Sequence, residues 1–284
     1  MSTNPTGIQG AVAVLGQGII GSRIADVLRR AGVETRVWSR RAADLPTLEA
    51  ILREVELVQI FLRDDQAVLQ AVDVACRVQR SGQVILNHAT LSRRATLQVA
   101  ERCNAAGLEF LDAPFTGSRM AAEQGQLCYY VGGPQPLLAR VRGLLQLSSA
   151  QILHLGGIGE ATVLKLVTNL ITAVTVKALS EAVAITQACG IDAENLRRAL
   201  EANANYSKLI GMKLGAMQSG DYAAHFSVVN MLKDADFAAS LAADMGLDCG
   251  GLAAAAESLR RANEAGLSDQ DFSSIHNLSN LNRS

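Results

Sequence analysis

Lys165 and Asn169 are four residues apart in a long apolar segment of this sequence. An α-helix would place both side chains on one face. A lysine directed inward from so apolar a helix is costly unless its ammonium has a function. An ammonium in such a place can supply a proton and stabilise negative charge that develops on an oxygen. We therefore predict a chemical role for Lys165, with Asn169 beside it.

A second candidate site follows an apolar run that ends at Asp112-Ala113-Pro114-Phe115. The next residues, Thr116-Gly117-Ser118, combine two hydroxyls with a glycine turn. Hydroxyls and exposed backbone N–H groups at the end of a strand can hold a carboxylate. This turn is therefore predicted to bind an anionic group. Phe226 and the pair Lys233-Asp234 form a third stretch of interest.

The run Ala11–Leu15, followed by Gly16-Gln17-Gly18-Ile19-Ile20-Gly21, has the pattern of a buried strand that ends in G-x-G-x-x-G and opens into a helix. In this context the first glycine makes the turn, the second lets the chain approach a phosphate, and the third permits close helix–strand packing. Free N–H groups and the helix dipole favour a pyrophosphate there. The sequence thus predicts a dinucleotide site formed by Gly16, Gln17, Gly18, Ile19 and Ile20.

The end of the second predicted strand indicates which dinucleotide binds. An NAD site places Asp or Glu there, whereas this chain has Ser39-Arg40-Arg41 after Trp38. A guanidinium and a hydroxyl suit a 2′-phosphate, so we predict NADP(H). Leu62, the last residue of the third predicted strand, and Thr90, which follows the fourth, are also predicted cofactor residues.

The remaining candidates have alternative interpretations. His88 follows a strand, where it either lies near the cofactor or packs in the core. His154 has no evident partner, and His225 precedes Phe226. Tyr206 either reaches a substrate or packs between a helix and a loop. Asp64 and Asp65 are most simply interpreted as caps of the helix that follows the third strand.

The elements that must position these residues change in type along the chain. The first half alternates short apolar runs with amphipathic helical patterns such as Ser22–Ala31 and Arg93–Ala106, which predicts βαβ units and a mostly parallel sheet. The predicted strands are Ala11–Leu15, Thr35–Trp38, Leu57–Leu62, Gln83–Asn87, Glu109–Leu111, Leu127–Val131 and Ile152–Leu155.

The second half is predicted to be helical. Between Ala161 and Cys189 there is no Pro or Gly, which predicts one long helix. Further helices are predicted at Ala193–Ala202, Ser207–Met217, Val229–Met245 and Gly251–Ala265. The glycine cluster at 156–159 divides a dinucleotide-binding domain, residues 1–160, from an all-helical domain, residues 161–284. The last dozen residues are rich in Asn and Ser and are expected to fray.

Composition narrows the class of protein. The 284 residues are enough for two domains, and the formal net charge of -1 gives no reason to expect a nucleic acid or an anionic membrane as partner. The five cysteines are far apart and form no cluster with histidine, so no metal site is predicted. Residues 1–9 lack the apolar core of a signal peptide, and we see no uninterrupted apolar run long enough for a bilayer. We expect a cytoplasmic protein.

Together these motifs resemble the β-hydroxyacid dehydrogenases, the family that contains 3-hydroxyisobutyrate dehydrogenase, tartronate semialdehyde reductase and the glyoxylate/succinic semialdehyde reductases. The resemblance implies a Rossmann domain joined by a long helix to an all-helical domain, in a homodimer or homotetramer. It implies that Thr116, Gly117 and Ser118 bind a substrate carboxylate, that Lys165 is the catalytic group and that Asn169 helps to hold the substrate.

The same resemblance places Lys233 near the nicotinamide, with Asp234 and Phe226 close by. The implied reaction interconverts a small aldehyde or keto acid and its hydroxyacid. One departure is Ala89-Thr90, where the family commonly has Ser-Thr, so that one hydroxyl is missing.

Three further positions bear on the substrate. Thr116 adds a methyl group to the usual serine, and Thr168 stands where some members have asparagine. Arg119 resembles the lysine of the glyoxylate and succinic semialdehyde reductases, which favours small aldehyde acids. Two alternatives stay open: an NADPH-dependent imine reductase, and a redox sensor that binds NADP(H) without turnover.

Overall fold

The computed structural model describes residues 10–78 and 80–280, which fold as two compact units, one up to Lys165 and the other from Leu166. The division falls inside the long helix, whereas the sequence places the boundary at residues 160–161. The segment expected to carry no signal peptide, residues 1–9, lies outside the described residues.

The first unit alternates strands and helices. Its strands are β1 (Ala11–Leu15), β2 (Thr35–Trp38), β3 (Val55–Ile60), β4 (Val84–Asn87), β5 (Glu109–Asp112), β6 (Phe115–Thr116), β7 (Leu127–Val131) and β8 (Ser149–His154). Its helices are α1 (Ile19–Arg30), α2 (Leu45–Glu54), α3 (Asp65–Val78), α4 (Arg93–Ala105), α5 (Arg119–Glu123) and α6 (Gln135–Gln146). The alternation confirms the predicted α/β class.

Five strands form a parallel sheet in the order β2-β1-β3-β4-β5. Alternate side chains of β1 enter two different cores. Ala13 and Leu15 pack with residues of α2, α3 and α4, whereas Val12 and Val14 pack with residues of α1 and α6. Burial on both faces explains the nearly continuous apolar run of this strand. The carboxyl ends of β1 to β4 thereby share one edge of the sheet.

A second sheet, β6-β7-β8, was not predicted as a separate element. β6 pairs antiparallel with β7, and β7 pairs parallel with β8. The predicted bounds also shift elsewhere: β3 begins and ends earlier than expected, α1 begins earlier, and β8 begins earlier. In β3 the reason is local, because α2 ends at Glu54 and the strand starts at the next residue.

The second unit is all-helical, as predicted. It contains most of α7 (Glu160–Ala188), then α8 (Ala193–Glu201), α9 (Lys208–Ser219), α10 (Val228–Asp244) and α11 (Gly250–Glu264). The expected fraying is wrong for residues up to 280. Phe272–Asn280 is a 3-10 helix, and its Phe272, Ile275 and Leu278 are buried in the core of this unit.

α7 has an unusual composition for a helix of a folded unit. Among the described residues it is the one helix long and apolar enough to cross a membrane, with a mean hydropathy of 1.4 and 28% of its apolar window buried. The expectation from the sequence concerned uninterrupted apolar runs, and α7 is interrupted by Lys165, Asn169 and Lys177. Ile171 and Ile185, on this helix, are 58% and 63% exposed.

Candidate active site

The glycine turn after β1 is built so tightly that two of its glycines cannot carry a side chain. Gly16 has φ +104°, and a Cβ there would lie 2.4 Å from the carbonyl oxygen of Phe61. A Cβ on Gly21 would lie 1.9 Å from the carbonyl oxygen of Gly16. Any side chain at either position would collide with backbone, so the turn depends on both glycines.

Gly18 differs from these two because the space around it is open. It precedes α1, and a Cβ there would meet nothing within 4 Å. No side chain caps α1, and its first turn has no acidic residue. Gln17 and Ile19 are exposed, and Ile20 is half-buried. This cradle of unsatisfied N–H groups at a positive helix end fits a dinucleotide pyrophosphate.

The turn after β2 places two exposed arginines, Arg40 and Arg41, next to the half-buried Ser39. A hydrogen bond holds this turn in place, because buried Trp38 donates from Nε1 to the carbonyl oxygen of Asp44, 3.0 Å away. Arg40 Nη2 lies 3.9 Å from Asp64 Oδ2. Of the other predicted cofactor residues, Leu62 follows β3 and Thr90 follows β4, both half-buried.

His88 is a packing residue. Its ring is fully buried, stacks on Phe61 and lies 2.7 Å and 3.0 Å from the Ala113 carbonyl and Gln59 Oε1. Burial lowers the pKa of His88 to about 4, although the hydrogen bond to Ala113 opposes the shift. The ring is therefore neutral at physiological pH.

The two aspartates after β3 have different partners. Asp64 accepts from the backbone N–H of Ala67 at 2.8 Å and caps α3, as predicted. Asp65 instead accepts from the N–H and the hydroxyl of Ser92, at 3.0 and 2.6 Å.

The predicted carboxylate-binding turn is open to solvent. Thr116 and Gly117 are exposed, and Gly117 has φ +144° with Leu127 packed where a Cβ would stand. The hydroxyl of Ser118 accepts from the N–H of Ala121 at 3.2 Å, so this residue caps α5. Arg119 forms an exposed ion pair with Glu123 at 3.0 Å.

Asp112, at the end of β5, holds the start of α7. Its buried carboxylate accepts from the N–H of Gly159 at 3.2 Å, and from the N–H and hydroxyl of Thr162 at 2.9 and 2.8 Å. The Thr162 hydroxyl also lies 3.0 Å from that of Thr96 on α4. Burial raises the pKa of Asp112 to about 6 against these hydrogen bonds. Lys165 follows Thr162 within one turn, so Asp112 fixes the helix end that carries it.

Cys128 connects the turn to Lys165. It is the cross-strand partner of Thr116, so the two side chains lie on the same face of the sheet. Burial raises the pKa of the Cys128 thiol, and the charge of the Lys165 ammonium opposes this shift. Lys165 itself is half-buried. Sequence reasoning missed Cys128 because only the strand register brings it to this position.

A second group of predicted residues lies in the helical unit. Asn169 Nδ2 donates to Asp234 Oδ2 at 2.7 Å, and Lys233 Nζ lies 2.9 Å from Asp234 Oδ1. Lys233 Nζ also lies 5.1 Å from the ring centroid of Phe237. Asp234 is buried, so its carboxylate orients the Asn169 amide and the Lys233 ammonium.

Phe226 is held by a network that the sequence did not indicate. Its N–H donates to Asp271 Oδ2 at 3.3 Å, and its ring meets Phe272 edge-to-face at 6.4 Å. Buried Lys213 donates to both oxygens of Asp271, at 2.7 and 2.8 Å. The N–H of His225 also donates to Asp271, at 3.2 Å. No local pattern links residues so far apart in the chain.

The two remaining candidates have structural contacts. His154 Nε2 lies 2.8 Å from the Gly133 carbonyl oxygen. The Tyr206 ring lies over Gly211, whose Cβ would stand 2.3 Å from the hydroxyl. Across residues 10–78 and 80–280, no group of three or more His, Cys, Asp and Glu side chains is placed to hold a metal.

Comparison with known proteins decides the family. Residues 11–156 match the NAD-binding domain of 6-phosphogluconate dehydrogenase, and residues 159–279 match the NAD-binding family model of NADP-dependent 3-hydroxyisobutyrate dehydrogenase. The chain belongs to the β-hydroxyacid dehydrogenase family. It is an NAD(P)-dependent hydroxyacid dehydrogenase, an oxidoreductase acting on CH–OH groups, which confirms the predicted class of enzyme.

Similar proteins of this family extend over nearly the whole chain. Glyoxylate/succinic semialdehyde reductase 2 of Arabidopsis thaliana is 27% identical over 282 residues, covering 93% of this chain and 78% of the relative. The 2-hydroxy-3-oxopropionate reductase of Escherichia coli is 25% identical over 274 residues, covering 92% and 94%. The structure of 3-hydroxyisobutyrate dehydrogenase from Mycobacterium tuberculosis with L-serine superposes with a TM-score of 0.87, at 22% identity, covering 95% and 99%.

Imine reductases share the fold at a greater distance. The Streptomyces aurantiacus enzyme has a TM-score of 0.61 and 21% identity, covering 94% of this chain and 99% of its own. The alternative of an imine reductase is therefore only weakly supported.

Proposed function

We propose that this protein is an NADPH-dependent reductase that interconverts a small aldehyde or keto acid, of the glyoxylate or succinic semialdehyde type, and its hydroxyacid. The observation that carries the proposal is that Thr116 on β6 pairs with Cys128 on β7, whose thiol is affected by the charge of Lys165 in the first turns of α7, the helix end that Asp112 holds. This grouping offers a carboxylate-binding turn and a cation within one unit of the chain.

Each residue has a defined task in the proposed reaction. The N–H groups and hydroxyl of the turn at Thr116 and Gly117 bind the substrate carboxylate and so orient its carbonyl group. The Lys165 ammonium stabilises the negative charge that develops on the carbonyl oxygen and gives that oxygen its proton. In the reverse direction, neutral Lys165 takes the proton of the alcohol. When bound, the nicotinamide supplies the hydride.

The helical unit contributes Asn169, Phe226 and Asp234 to the proposal. Asn169 remains the predicted substrate residue on α7, and its amide is oriented by the bond to Asp234. Phe226 is kept in place by Asp271 and Phe272. Lys233 remains the predicted contact to the cofactor, with its ammonium directed by Asp234.

Preference for NADP(H) over NAD(H) rests on Ser39, Arg40 and Arg41. Two exposed guanidiniums and a hydroxyl at the end of β2 suit a phosphate dianion at the ribose. The names of two relatives, glyoxylate/succinic semialdehyde reductase and 2-hydroxy-3-oxopropionate reductase, support small carboxylate-bearing aldehydes as substrates.

We also propose a homodimer or a higher homo-oligomer. Exposed Val167, Ile171 and Ile185 on α7 give the helix an apolar surface that a second copy of the chain can cover. Large exposed apolar surfaces of this kind are typical of interaction sites.

The replacement Lys165→Ala tests the proposed reaction. Loss of the proton donor should lower kcat for glyoxylate and succinic semialdehyde about 10²- to 10⁴-fold. The Kd for NADPH, measured by calorimetry, should change little because the glycine turn is intact. Lys208→Ala, which removes an exposed lysine at the start of α9, is the matched control and should keep full activity.

Full activity of Lys165→Ala would contradict the mechanism. Turnover of cyclic imines without turnover of aldehyde acids would instead assign an imine reductase. Binding of NADPH with no turnover of either substrate class would assign a redox sensor.

A further inference from the structure

Arg40 faces a carboxylate on the neighbouring turn. Its Nη2 atom lies 3.9 Å from Oδ2 of Asp64, and the two side chains are 50% and 43% exposed. Arg40 follows β2, and Asp64 follows β3, so the pair brings together turns from the two strands on either side of β1.

The strand register explains why these turns meet. Leu15, the last residue of β1, pairs with Trp38 on one side and with Ile60 on the other. The turns that follow these three strands therefore lie at the same edge of the sheet, and the glycine turn after β1 lies between the other two. An arginine and an aspartate therefore both border the place where the dinucleotide is proposed to bind.

The position of Asp64 is fixed by a second interaction. Its Oδ1 atom accepts from the N–H of Ala67 at 2.8 Å and caps α3. The carboxylate cannot turn away from Arg40 without losing this cap. The contact to Arg40 itself is longer than a hydrogen bond, so it is Coulombic and leaves the guanidinium donors available to a ligand.

Asp64 and Arg40 should act oppositely on the two forms of the cofactor. A carboxylate fixed beside the guanidinium repels a 2′-phosphate dianion and weakens the attraction that Arg40 provides. It does not repel a neutral ribose 2′-hydroxyl and can accept a hydrogen bond from one.

We propose that Asp64 is a specificity-determining residue that limits the preference for NADP(H) and lets the same site accept NAD(H). This inference rests on the proposed function, in which Arg40 meets the 2′-phosphate. Asp64 is neither in the glycine motif nor at the end of β2, so the sequence pattern alone does not point to it.

The test is direct calorimetric titration with NADP⁺ and NAD⁺, without substrate. Asp64→Asn keeps an oxygen for the cap but removes the charge. The ratio of Kd for NAD⁺ to Kd for NADP⁺ should rise about three- to tenfold at low salt and less at 0.5 M NaCl, where exposed charges are screened. Asp26→Asn is the matched control: it removes an exposed aspartate paired with Arg29 at 3.5 Å on α1, and the ratio should not change.

Because a ratio does not depend on the fraction of folded protein, partial unfolding leaves the result interpretable. If Asp64→Asn does not fold, Asp64→Ser supplies a hydroxyl cap without charge and should give the same shift. An unchanged or lowered ratio overturns the inference.

Arg40→Ala separates this inference from the cofactor assignment. If it weakens NADP⁺ binding while Asp64→Asn has no effect, only the role of Asp64 fails. If Arg40→Ala leaves the ratio unchanged, the proposed NADP(H) preference fails together with it.

Discussion

The pKa values of two buried aspartates of this protein are shifted in opposite directions. Burial raises the pKa of Asp112 to about 6, even though three donors at the start of α7 bind its carboxylate. Burial also acts against ionisation of Asp271, but the hydrogen bonds and charge of Lys213 and the hydrogen bonds of Ser273 outweigh it and lower the pKa. The largest of the effects that oppose burial at Asp271 is the hydrogen bonding of the Lys213 ammonium, and among the residues that the structure describes no cation is paired with Asp112.

The two carboxylates therefore predict opposite pH dependences of stability. The Asp112 pKa is 3.8 unfolded and about 6 folded, so between these values the native state holds more protons and its unfolding free energy falls as the pH rises. The difference amounts to roughly 3 kcal/mol. Urea unfolding at pH 4, 5.5 and 7 should show wild type losing stability relative to Asp112→Asn by about this amount.

Asp271→Asn is the control of opposite sign. The contribution of a carboxylate with a lowered pKa is present at neutral pH and lost as the pH falls through the folded pKa. The unfolding free energy of Asp271→Asn should fall below that of wild type by the largest amount at pH 7, and this difference should shrink in acid. Parallel pH profiles for the two variants would contradict this account.

At the scale of elements, the glycine turn depends on backbone contacts that a side chain would destroy. A methyl group on Gly21 would stand 1.9 Å from the carbonyl oxygen of Gly16, so α1 would have to move away from β1. Gly215, in the exposed part of α9, offers a contrast, since a Cβ there would meet nothing within 4 Å.

The same substitution, glycine to alanine, should change the unfolding free energy in opposite directions at these two positions. Gly21→Ala should lower the unfolding free energy by about 3 kcal/mol and abolish measurable cofactor binding. Gly215→Ala should raise the unfolding free energy by up to about 1 kcal/mol, because alanine favours the helix, and leave binding intact. Denaturant titration and calorimetry measure both. Normal cofactor affinity in Gly21→Ala would show that the turn tolerates displacement.

Elements with a strong local signal were predictable. The apolar run and glycine turn predicted β1 with its observed bounds, and α7 was predicted within one residue at each end. β6 was missed because a two-residue strand has no periodicity and exists only through pairing with β7. The 3-10 helix was missed because its polar composition concealed a three-residue apolar spacing, Phe272, Ile275 and Leu278, typical of that helix.

The candidate site was predictable to the same degree. Motif residues such as Gly16 and Lys165 can be identified from their neighbours in the sequence. Cys128 and Asp64 do not, since the first reaches the site through strand register and the second through the meeting of two turns. Long-range pairing of this kind has no signature in a single sequence.

For the whole molecule, the exposed apolar surface of α7 bears on how copies of the chain associate. Ile171 and Ile185 are 58% and 63% exposed on a helix that also meets the length and hydropathy of a membrane span. We interpret this surface as the contact between copies of the chain, since apolar surface of this extent is unfavourable in water.

Ile171→Glu should therefore convert a dimer or tetramer into smaller species at micromolar concentration, as measured by sedimentation velocity. Leu247→Glu is the matched control, because Leu247 is 60% exposed but lies outside α7. Its association state should equal that of wild type. A wild-type monomer in solution, or a wild-type protein recovered only with lipid vesicles, would contradict the proposal.

The contacts of Gly16 and Gly21 also limit how this cofactor turn can be transplanted in protein engineering. Both glycines lie against Phe61, through its carbonyl oxygen in one case and its Cβ in the other. Phe61 directly follows β3, outside the motif. A graft of residues 11–21 into another sheet would leave behind the surface on which the turn is shaped. The transferable module is β1, the start of α1 and the end of β3 together.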